Sequence, residues 1–231
     1  MYWHCITVVR KVEGEGGEVL LVDGEMRSPQ KNSYIMNNQV EILSSRSNRD
    51  LKYLKEEVES KLRVFPDFPK PGIKFIDVMV LMRYPLLLQE LCAAIADYVR
   101  VEIPVAIDAI ASLEARGFLF GPQIAMILKV PFVPIRKKGK LPGKTYKETY
   151  QKEYGEDIIE VQEDAVKQGS KVLLVDDLLA TGGSLKAAIS LIEKAGGDVA
   201  GTFTLIELAY LEPRKHMPEH ILVHSFITMT E

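Results

Sequence analysis

The sequence predicts an α/β fold, with a mostly parallel sheet flanked by helices on both faces. Three observations predict this class. Aliphatic runs alternate with helical segments from about residue 50, the run KVLLVDD at 171–177 is apolar up to two acids, and 231 residues suffice for one large core. In such sheets ligands bind beyond the carboxyl ends of the strands, so we expect the functional residues there.

The composition excludes several classes of protein. Hydrophobic residues make up 47% and charged residues 26% of the chain, and the net charge is −3, so we expect neither nucleic acid nor an anionic membrane as a partner. Cys5 and Cys92 form no disulfide framework and have no metal-ligand spacing. The sequence contains no membrane span and no signal-peptide layout, and we expect a cytoplasmic protein.

Residues 1–50 are the least regular part of the chain. They are interpreted as an N-terminal extension of unknown role, followed by a catalytic domain at 51–231. Two apolar runs in the extension, CITVVRKV and EVLLVDG, have the pattern of a hairpin, and Met36 is a second candidate start.

From residue 50 onward, helical and β-like segments alternate, separated by proline, glycine and polar stretches. Asn48 or Asp50 is the expected N-cap of the first helix, and Pro85 lies near the first turn of the second. The predicted helices are, in order, NRDLKYLKEEVESKL, PLLLQELCAAIADYVR, FLFGPQIAMILK and SLKAAISLIEKAG. The predicted extended segments are IKFIDVMV, VAIDAIAS, PFVPIRKK, KVLLVDD, DVAGTFTLIELA and HILVHSFI, with a polar loop between Gly139 and Gly155.

The strand at 171–177 leads into the feature with the clearest chemistry. Asp176 and Asp177 are followed by a turn of small residues, Ala180, Thr181, Gly182, Gly183 and Ser184. The glycines let backbone N–H groups point into one concavity, two hydroxyls add donors, and the next helix adds its positive end. Such a turn binds anions, usually phosphate. Because the acids would repel phosphate but accept hydrogen bonds from vicinal hydroxyls, the two features together fit a sugar phosphate.

The same pattern has other interpretations. A pair of acids at a strand end also fits a phosphoacceptor site, a metal site or a helix cap. A P-loop is not indicated, because the G-x-x-x-x-G-K-[ST] spacing is absent, and the G-x-G-x-x-G fingerprint for dinucleotides is absent too.

The stretch VLLVDDLLATGGS resembles the motif for 5-phosphoribosyl 1-pyrophosphate (PRPP) in the type I phosphoribosyltransferases. Four further segments occur in the order found in the adenine phosphoribosyltransferases: RVFPDFPKPGIKFIDV, EARGFLFGP, PIRKKGKLPG and EYGEDIIEVQEDA. The resemblance runs from about residue 55 to residue 227. It implies the type I fold with a small hood and a flexible lid loop, and the formation of AMP and pyrophosphate from adenine and PRPP with Mg²⁺.

The resemblance also implies roles for residues on the sugar-phosphate side. Residues 180–184 would anchor the 5′-phosphate. Asp176 and Asp177 would orient the ribose hydroxyls and offset the positive charge that builds on the ring as the C1–O bond loosens.

A second group would hold the leaving pyrophosphate. The resemblance implies that the turn with Glu114, Ala115 and Arg116 contacts it, with a cis peptide bond between Glu114 and Ala115. The family usually has Asp at the Glu114 position. Arg136 and Lys137 would reach the pyrophosphate, and Lys140 adds positive charge nearby. Mg²⁺ would be held mainly through PRPP and water, without direct protein ligands.

The third group would bind adenine. By resemblance Phe75 stacks on one face of the base and Leu178 packs on the other, while backbone groups of Lys74 and Ile76 read the amino-pyrimidine edge. Many adenine enzymes have Arg at the Ile76 position, so one side-chain contact is absent in this chain.

The predicted loop between Gly139 and Gly155 is interpreted as a lid that excludes water from the activated ribose. The resemblance places Glu153 and Tyr154 at its tip. Glu153 is a candidate for handling the proton that adenine loses, although an exposed lid glutamate without that role is an equal alternative. The family also implies a homodimer, with the FLFGPQIAM segment at its interface.

Two other functions are compatible with the PRPP motif. A phosphoribosyltransferase for another base, such as xanthine or hypoxanthine, would share the PRPP motif. A regulator that senses PRPP without catalysis usually adds a helix-turn-helix or a basic patch, and residues 1–50 have neither.

Overall fold

The computed structural model describes residues 48–152 and 155–230, without the side chains of 48–50, 151, 152 and 155. The hairpin expected in the extension, Met36, and the lid residues Glu153 and Tyr154 lie outside these residues.

The four predicted helices are present. No helix among the described residues combines the length and the apolar character that crossing a membrane requires. The helices are α1 (Asn48–Lys61), α2 (Pro85–Glu102), α3 (Gly121–Leu128) and α4 (Gly183–Lys194). The third begins later than predicted. Residues Arg116–Leu119 form a separate 3-10 turn, and the α-helix begins at Gly121 with Pro122 in its first turn.

Nine strands are found in the described part of the chain. They are β1 (Arg63–Phe65), β2 (Phe75–Asp77), β3 (Ala109–Leu113), β4 (Phe132–Lys137), β5 (Thr145–Lys152), β6 (Gly155–Gln162), β7 (Lys171–Leu179), β8 (Asp198–Leu208) and β9 (Val223–Met229). Seven of them form one sheet in the order β5-β6-β4-β3-β7-β8-β9. Strands β4, β3, β7, β8 and β9 run parallel, and β6 and β5 are antiparallel additions at one edge. The prediction of a mostly parallel sheet is therefore confirmed.

Helices cover both faces of the sheet, as predicted. Alternate residues of the central strands enter different cores: Ile110 and Leu173 pack with α1, α2 and α3, whereas Ala111 and Leu174 pack with α4. This double burial explains why β3 and β7 are continuous apolar runs. Because β3 and β7 pair in parallel, their carboxyl ends lie side by side, and the loops that follow them form one site.

A separate two-stranded sheet, β1 with β2, forms the hood. It is antiparallel, with Phe65 opposite Phe75, and Arg63 Nε donates to Asp77 Oδ2 at 3.1 Å. Strand β2 is shorter than the predicted extended segment IKFIDVMV. Asp77 Oδ1 accepts a hydrogen bond from the Met79 amide at 2.9 Å, which turns the chain into a 3-10 helix at Met79–Arg83.

The stretch predicted as a loop between Gly139 and Gly155 contains strand β5, and this is a correction. In β5, Thr145, Glu148 and Tyr150 are partly buried, whereas Tyr146, Lys147 and Thr149 are exposed, and its tyrosines and threonines favour a strand. Glu148 accepts a hydrogen bond from Ser190 Oγ of α4 at 3.2 Å and pairs with Lys194, and Tyr150 packs against the core beside α4. These contacts with a helix distant in sequence fix the hairpin.

One buried acid, Glu160 of β6, shapes the loop that follows β4. Its Oε1 accepts hydrogen bonds from the amides of Gly139, Lys140 and Leu141 at 2.9, 3.1 and 3.2 Å. Burial raises the pKa of Glu160, but the hydrogen bonds from these amides and from Thr145 outweigh burial, so the pKa lies below its ordinary value. The carboxylate therefore stabilises the fold in its charged form.

Glu160→Gln should lower the free energy of unfolding by about 1–3 kcal/mol at pH 7, because the amides lose a charged acceptor. The folded pKa is lowered, so wild-type Glu160 stabilises above its ordinary pKa of 4.5 and loses this effect as the pH falls through the folded value. Urea titrations at several pH values should show the deficit shrinking toward acid pH. The exposed Glu163→Gln is the control and should change stability by less than about 0.5 kcal/mol; an equal loss in both variants would contradict the role of Glu160.

Candidate active site

A cavity of about 310 Å³ lies at the carboxyl ends of β3 and β7. It contains the acid pair, most of the small-residue turn and part of the turn after β3. Its lining residues are Leu113, Glu114, Ala115, Arg116, Lys137, Tyr150, Asp176, Asp177, Leu178, Leu179, Ala180, Thr181, Gly182 and Ser184. The structure thus brings together residues from four segments that are separated in sequence.

Other grooves are larger, such as one of about 520 Å³ along residues 214–224. A groove of about 490 Å³ lies between the ends of α2 and α3, but mainly apolar side chains and Arg100 line it. The smaller cavity contains the paired carboxylates, two cationic side chains and the N-terminus of α4, so it is the candidate active site.

The sequence predicted the acid pair at the end of the strand, but the pair lies inside β7. The strand continues to Leu179 because β8 pairs with it that far, with Asp176 opposite Thr204 and Leu179 opposite Glu207. Asp177 is buried, with 3% of its side chain exposed, whereas Asp176 is partly open to the cavity. The Asp177 amide donates to Asp176 Oδ1 at 3.0 Å, which orients the first carboxylate.

Two buried carboxylates side by side disfavour each other's charge. Burial raises the pKa of Asp176 well above its ordinary value, and the neighbouring charge of Asp177 raises it further. Burial also raises the pKa of Asp177, against the opposing charge of Arg116. Hydroxyl donors or a cation that bound here would relieve this unfavourable arrangement.

Arg116 connects the acid pair with the hood. Its Nε lies 3.0 Å from Asp177 Oδ2, an ion pair without the angles of a hydrogen bond. Its guanidinium carbon lies 5.6 Å from the centroid of the Phe75 ring, a cation–π distance. Phe75 in turn packs edge-to-face on Phe68, at 5.0 Å between ring centroids. Arg116 therefore lies between the acid pair and the hood residue Phe75.

The predicted base-side residues are dispersed. Leu178 lines the cavity, and Phe75 reaches it only through Arg116. Lys74 is exposed and Ile76 is buried, with 4% of it exposed, and the Ile76 side chain packs in the core that α1, α2 and α3 form with the large sheet.

The turn after β3 has the predicted cis peptide bond between Glu114 and Ala115. Glu114 pairs with Arg136, whose Nη1 also donates to the Lys140 carbonyl at 3.1 Å, so this arginine is engaged beside the cavity and not in it. Lys137 lines the cavity, with its Nζ 3.6 Å from Asp157. Lys140 is exposed outside the cavity lining.

The small-residue turn leads directly into α4. Gly182 has φ +86°, a left-handed conformation that favours glycine, and Gly183 is the first residue of the helix. The free amides at this helix start face the same cavity as the acids, which is the arrangement predicted for phosphate.

Sequence reasoning missed several residues of the site. Gly117 approaches the first acid closely: a Cβ there would lie 2.9 Å from Asp176 Oδ1 and 3.1 Å from the Val175 carbonyl oxygen. Tyr150 lines the cavity from β5. The strand pattern T-Y-K-E-T-Y could have indicated Tyr150, but no local signal indicates the contact of Gly117, which joins two distant segments.

The chain is similar to known proteins over most of its length. The phosphoribosyl transferase domain model matches residues 81–224. Adenine phosphoribosyltransferase from Caenorhabditis elegans is 56% identical over 166 residues, which cover 72% of this chain and 89% of that protein. The corresponding protein from Desulfitobacterium hafniense is 48% identical over 161 residues, 70% of this chain and 91% of that protein.

Solved structures agree with these similarities. Adenine phosphoribosyltransferase from Saccharomyces cerevisiae, complexed with adenine and an imino-altritol bisphosphate, is 41% identical with a TM-score of 0.71, over 76% of this chain and 99% of that one. The Trypanosoma brucei enzyme, in complex with AMP, pyrophosphate and ribose-5-phosphate, is 26% identical with a TM-score of 0.69, over 76% of this chain and 79% of that one.

Asp176→Asn should raise the free energy of unfolding at pH 7 by about 0.5–2 kcal/mol, the usual size of a stabilising substitution. The folded pKa is raised above its ordinary 3.8, so the folded state binds more protons and wild-type stability falls as the pH rises from there through the raised value. Urea titrations from about pH 4 to pH 8 should therefore show the gain growing with pH. Glu160→Gln should show the opposite sign, and a loss of stability by Asp176→Asn at neutral pH would contradict this account.

Proposed function

This chain belongs to the adenine phosphoribosyltransferases, and we propose that it makes AMP and pyrophosphate from adenine and PRPP with Mg²⁺. One observation carries the proposal: paired carboxylates and the amide-rich start of α4 face a single cavity. A phosphorylated pentose has hydroxyls for the first and a phosphate for the second.

The sugar side of the proposed reaction follows from charge. Ribose hydroxyls would donate to Asp176 and Asp177, and the 5′-phosphate would accept from the amides and hydroxyls of residues 180–184. As the bond from C1 to pyrophosphate loosens, positive charge develops on the ribose ring beside the two carboxylates. Preorganised groups of this kind contribute about 3–4 kcal/mol each to transition-state stabilisation.

The pyrophosphate side would be the turn at 114–116 together with Lys137. Arg116 and Lys137 line the cavity and would neutralise part of the leaving charge, while Arg136 supports the turn through Glu114. In this proposal Arg116 leaves Asp177 for the pyrophosphate when PRPP binds, and the ribose hydroxyls replace it.

Mg²⁺ would supply the remaining neutralisation of the pyrophosphate. Among the described residues, no group of three or more His, Cys, Asp or Glu side chains is placed to hold a metal ion. In this proposal the ion keeps most of its waters and is carried largely by the substrate's phosphates. Asp176 and Asp177 would act on the ribose and on the waters of the ion.

Adenine would lie between Phe75 and Leu178, with the backbone of Lys74 and Ile76 at its edge. The solved yeast enzyme is complexed with adenine, and the Giardia lamblia enzyme, which is 34% identical, with 9-deazaadenine. Because the Ile76 side chain is buried, it leaves base recognition to backbone groups. Glu153 is the proposed acceptor of the adenine proton and Tyr154 the proposed lid closure, although both lie outside the described residues.

The proposal also includes a homodimer and a cytoplasmic location, as expected from the sequence. It includes no nucleic-acid partner. The two alternative functions are tested by the same assay as the main proposal.

With PRPP and Mg²⁺, the protein should form AMP from adenine, and kcat/KM should be lower by roughly a hundredfold or more for hypoxanthine and xanthine, because a site that hydrogen-bonds one base leaves polar groups unpaired with another. Chelation of Mg²⁺ should abolish turnover, and added Mg²⁺ should restore it. Product from another base in place of adenine would reassign the substrate. Binding of PRPP without product from any base would favour the sensor.

Asp177→Asn should lower kcat/KM for AMP formation by about 10²–10³, the effect of removing one preorganised electrostatic group. Thermal unfolding should change little, because the lost ion pair with Arg116 is offset by removal of a buried charge. Steady-state kinetics with a melting curve of each variant would separate these effects. The exposed Asp164→Asn is the control and should match the wild type; a similar loss of activity and stability in Asp177→Asn would make this acid a structural one.

A further inference from the structure

The left-handed residue of the proposed phosphate turn lies against a segment that follows β8. A Cβ built on Gly182 would lie 2.5 Å from Cε of Met217 and 3.5 Å from the carbonyl oxygen of Pro213. Pro213 and Met217 are both buried. The turn is therefore supported from behind by residues 213–217, a segment that sequence analysis did not connect with it.

An ion pair between the buried Glu207 and Arg214, whose side chain is 54% exposed, holds this segment in place. Arg214 donates from Nε and Nη2 to the two carboxylate oxygens of Glu207, each at 2.7 Å. Ser225 Oγ of β9 donates to the same carboxylate at 2.6 Å. Only 3% of the Glu207 side chain is exposed. The two-point contact fixes both position and orientation of the arginine, which a single contact would not do.

The pairing of β7 with β8 also places Glu207 of the ion pair close to the small-residue turn. Glu207 of β8 lies opposite Leu179 of β7, and Leu179 immediately precedes the turn at 180–184. Arg214 lowers the pKa of Glu207, so the carboxylate remains charged. The same carboxylate thus anchors the segment to the strand that neighbours the one carrying the turn.

We propose that Glu207, Arg214 and Met217 are positioning residues for the 5′-phosphate of PRPP. Glu207 and Arg214 fix residues 213–217, and Met217 holds Gly182 so that the amides of the turn keep their direction. This inference rests on the proposed function for the identity of the anion. It assigns to these residues no contact with substrate, so their loss should weaken phosphate binding and leave base binding and the chemical step intact.

A second ion pair on the same segment provides a matched control. Lys215 Nζ lies 2.7 Å from Glu212 Oε1, but 68% and 61% of these side chains are exposed. Exposed pairs of this kind contribute little, and this pair touches neither Met217 nor the sheet in the described contacts. Removing it should have no effect on phosphate binding.

The test measures ribose 5-phosphate binding by calorimetry, together with steady-state kinetics on the full chain. Arg214→Met should raise the Kd for ribose 5-phosphate and the KM for PRPP by about ten- to a hundredfold, the range expected when a binding group is misplaced. The KM for adenine and kcat should stay within about twofold of wild type. Arg214→Lys should recover part of the loss, and Lys215→Met should match the wild type.

Met217→Ala tests the same support without disturbing the ion pair, so the proposal remains testable if Arg214→Met does not fold. It should weaken ribose 5-phosphate binding, and Met217→Leu should restore it. Unchanged phosphate affinity in Met217→Ala, or an equal loss of adenine and PRPP affinity in the Arg214 variants, would overturn the proposal. If the wild type binds ribose 5-phosphate but makes no AMP, the proposed function fails while the calorimetric comparison still decides this inference.

Discussion

The site depends on keeping two carboxylates buried next to each other without a permanent counterion of equal strength. Asp176 and Asp177 come from consecutive positions of a central strand, so their separation is fixed by the backbone. Arg116 offsets part of their charge, and the absent side chain of Gly117 leaves room for the first carboxylate. The free protein thus holds an unfavourable charge arrangement that a hydroxyl-bearing ligand would improve.

Around this pair, groups of different charge lie on different elements of the fold. The acids lie within the sheet, the donors of the small-residue turn lie at the start of α4, and the cations Arg116 and Lys137 come from the ends of neighbouring segments. A ligand with neutral hydroxyls between two anionic groups matches this order of charges.

Much of this arrangement could be predicted from local sequence. The apolar run before two acids, followed by a glycine turn, indicated the anion site and the parallel sheet, because burial and turn geometry are properties of neighbouring residues. The cis bond at Glu114 was available only through family resemblance. The amide contacts of Glu160 and the pair of Glu207 with Arg214 could not be predicted, since each depends on contacts that the whole fold creates. The polar composition of β5 favoured a loop, and its contacts with α4 could not be predicted from the local sequence.

The hood has a consequence for how such proteins diversify. Phe75 and Ile76 belong to a separate two-stranded sheet, which Arg63 and Asp77 connect, whereas the acid pair belongs to the seven-stranded sheet. Exchanging residues of the small sheet leaves the register of the large one untouched. In the proposed function, most groups that would contact the base lie in or beside the hood and only Leu178 in the large sheet, so an engineer seeking a new base would begin in the hood.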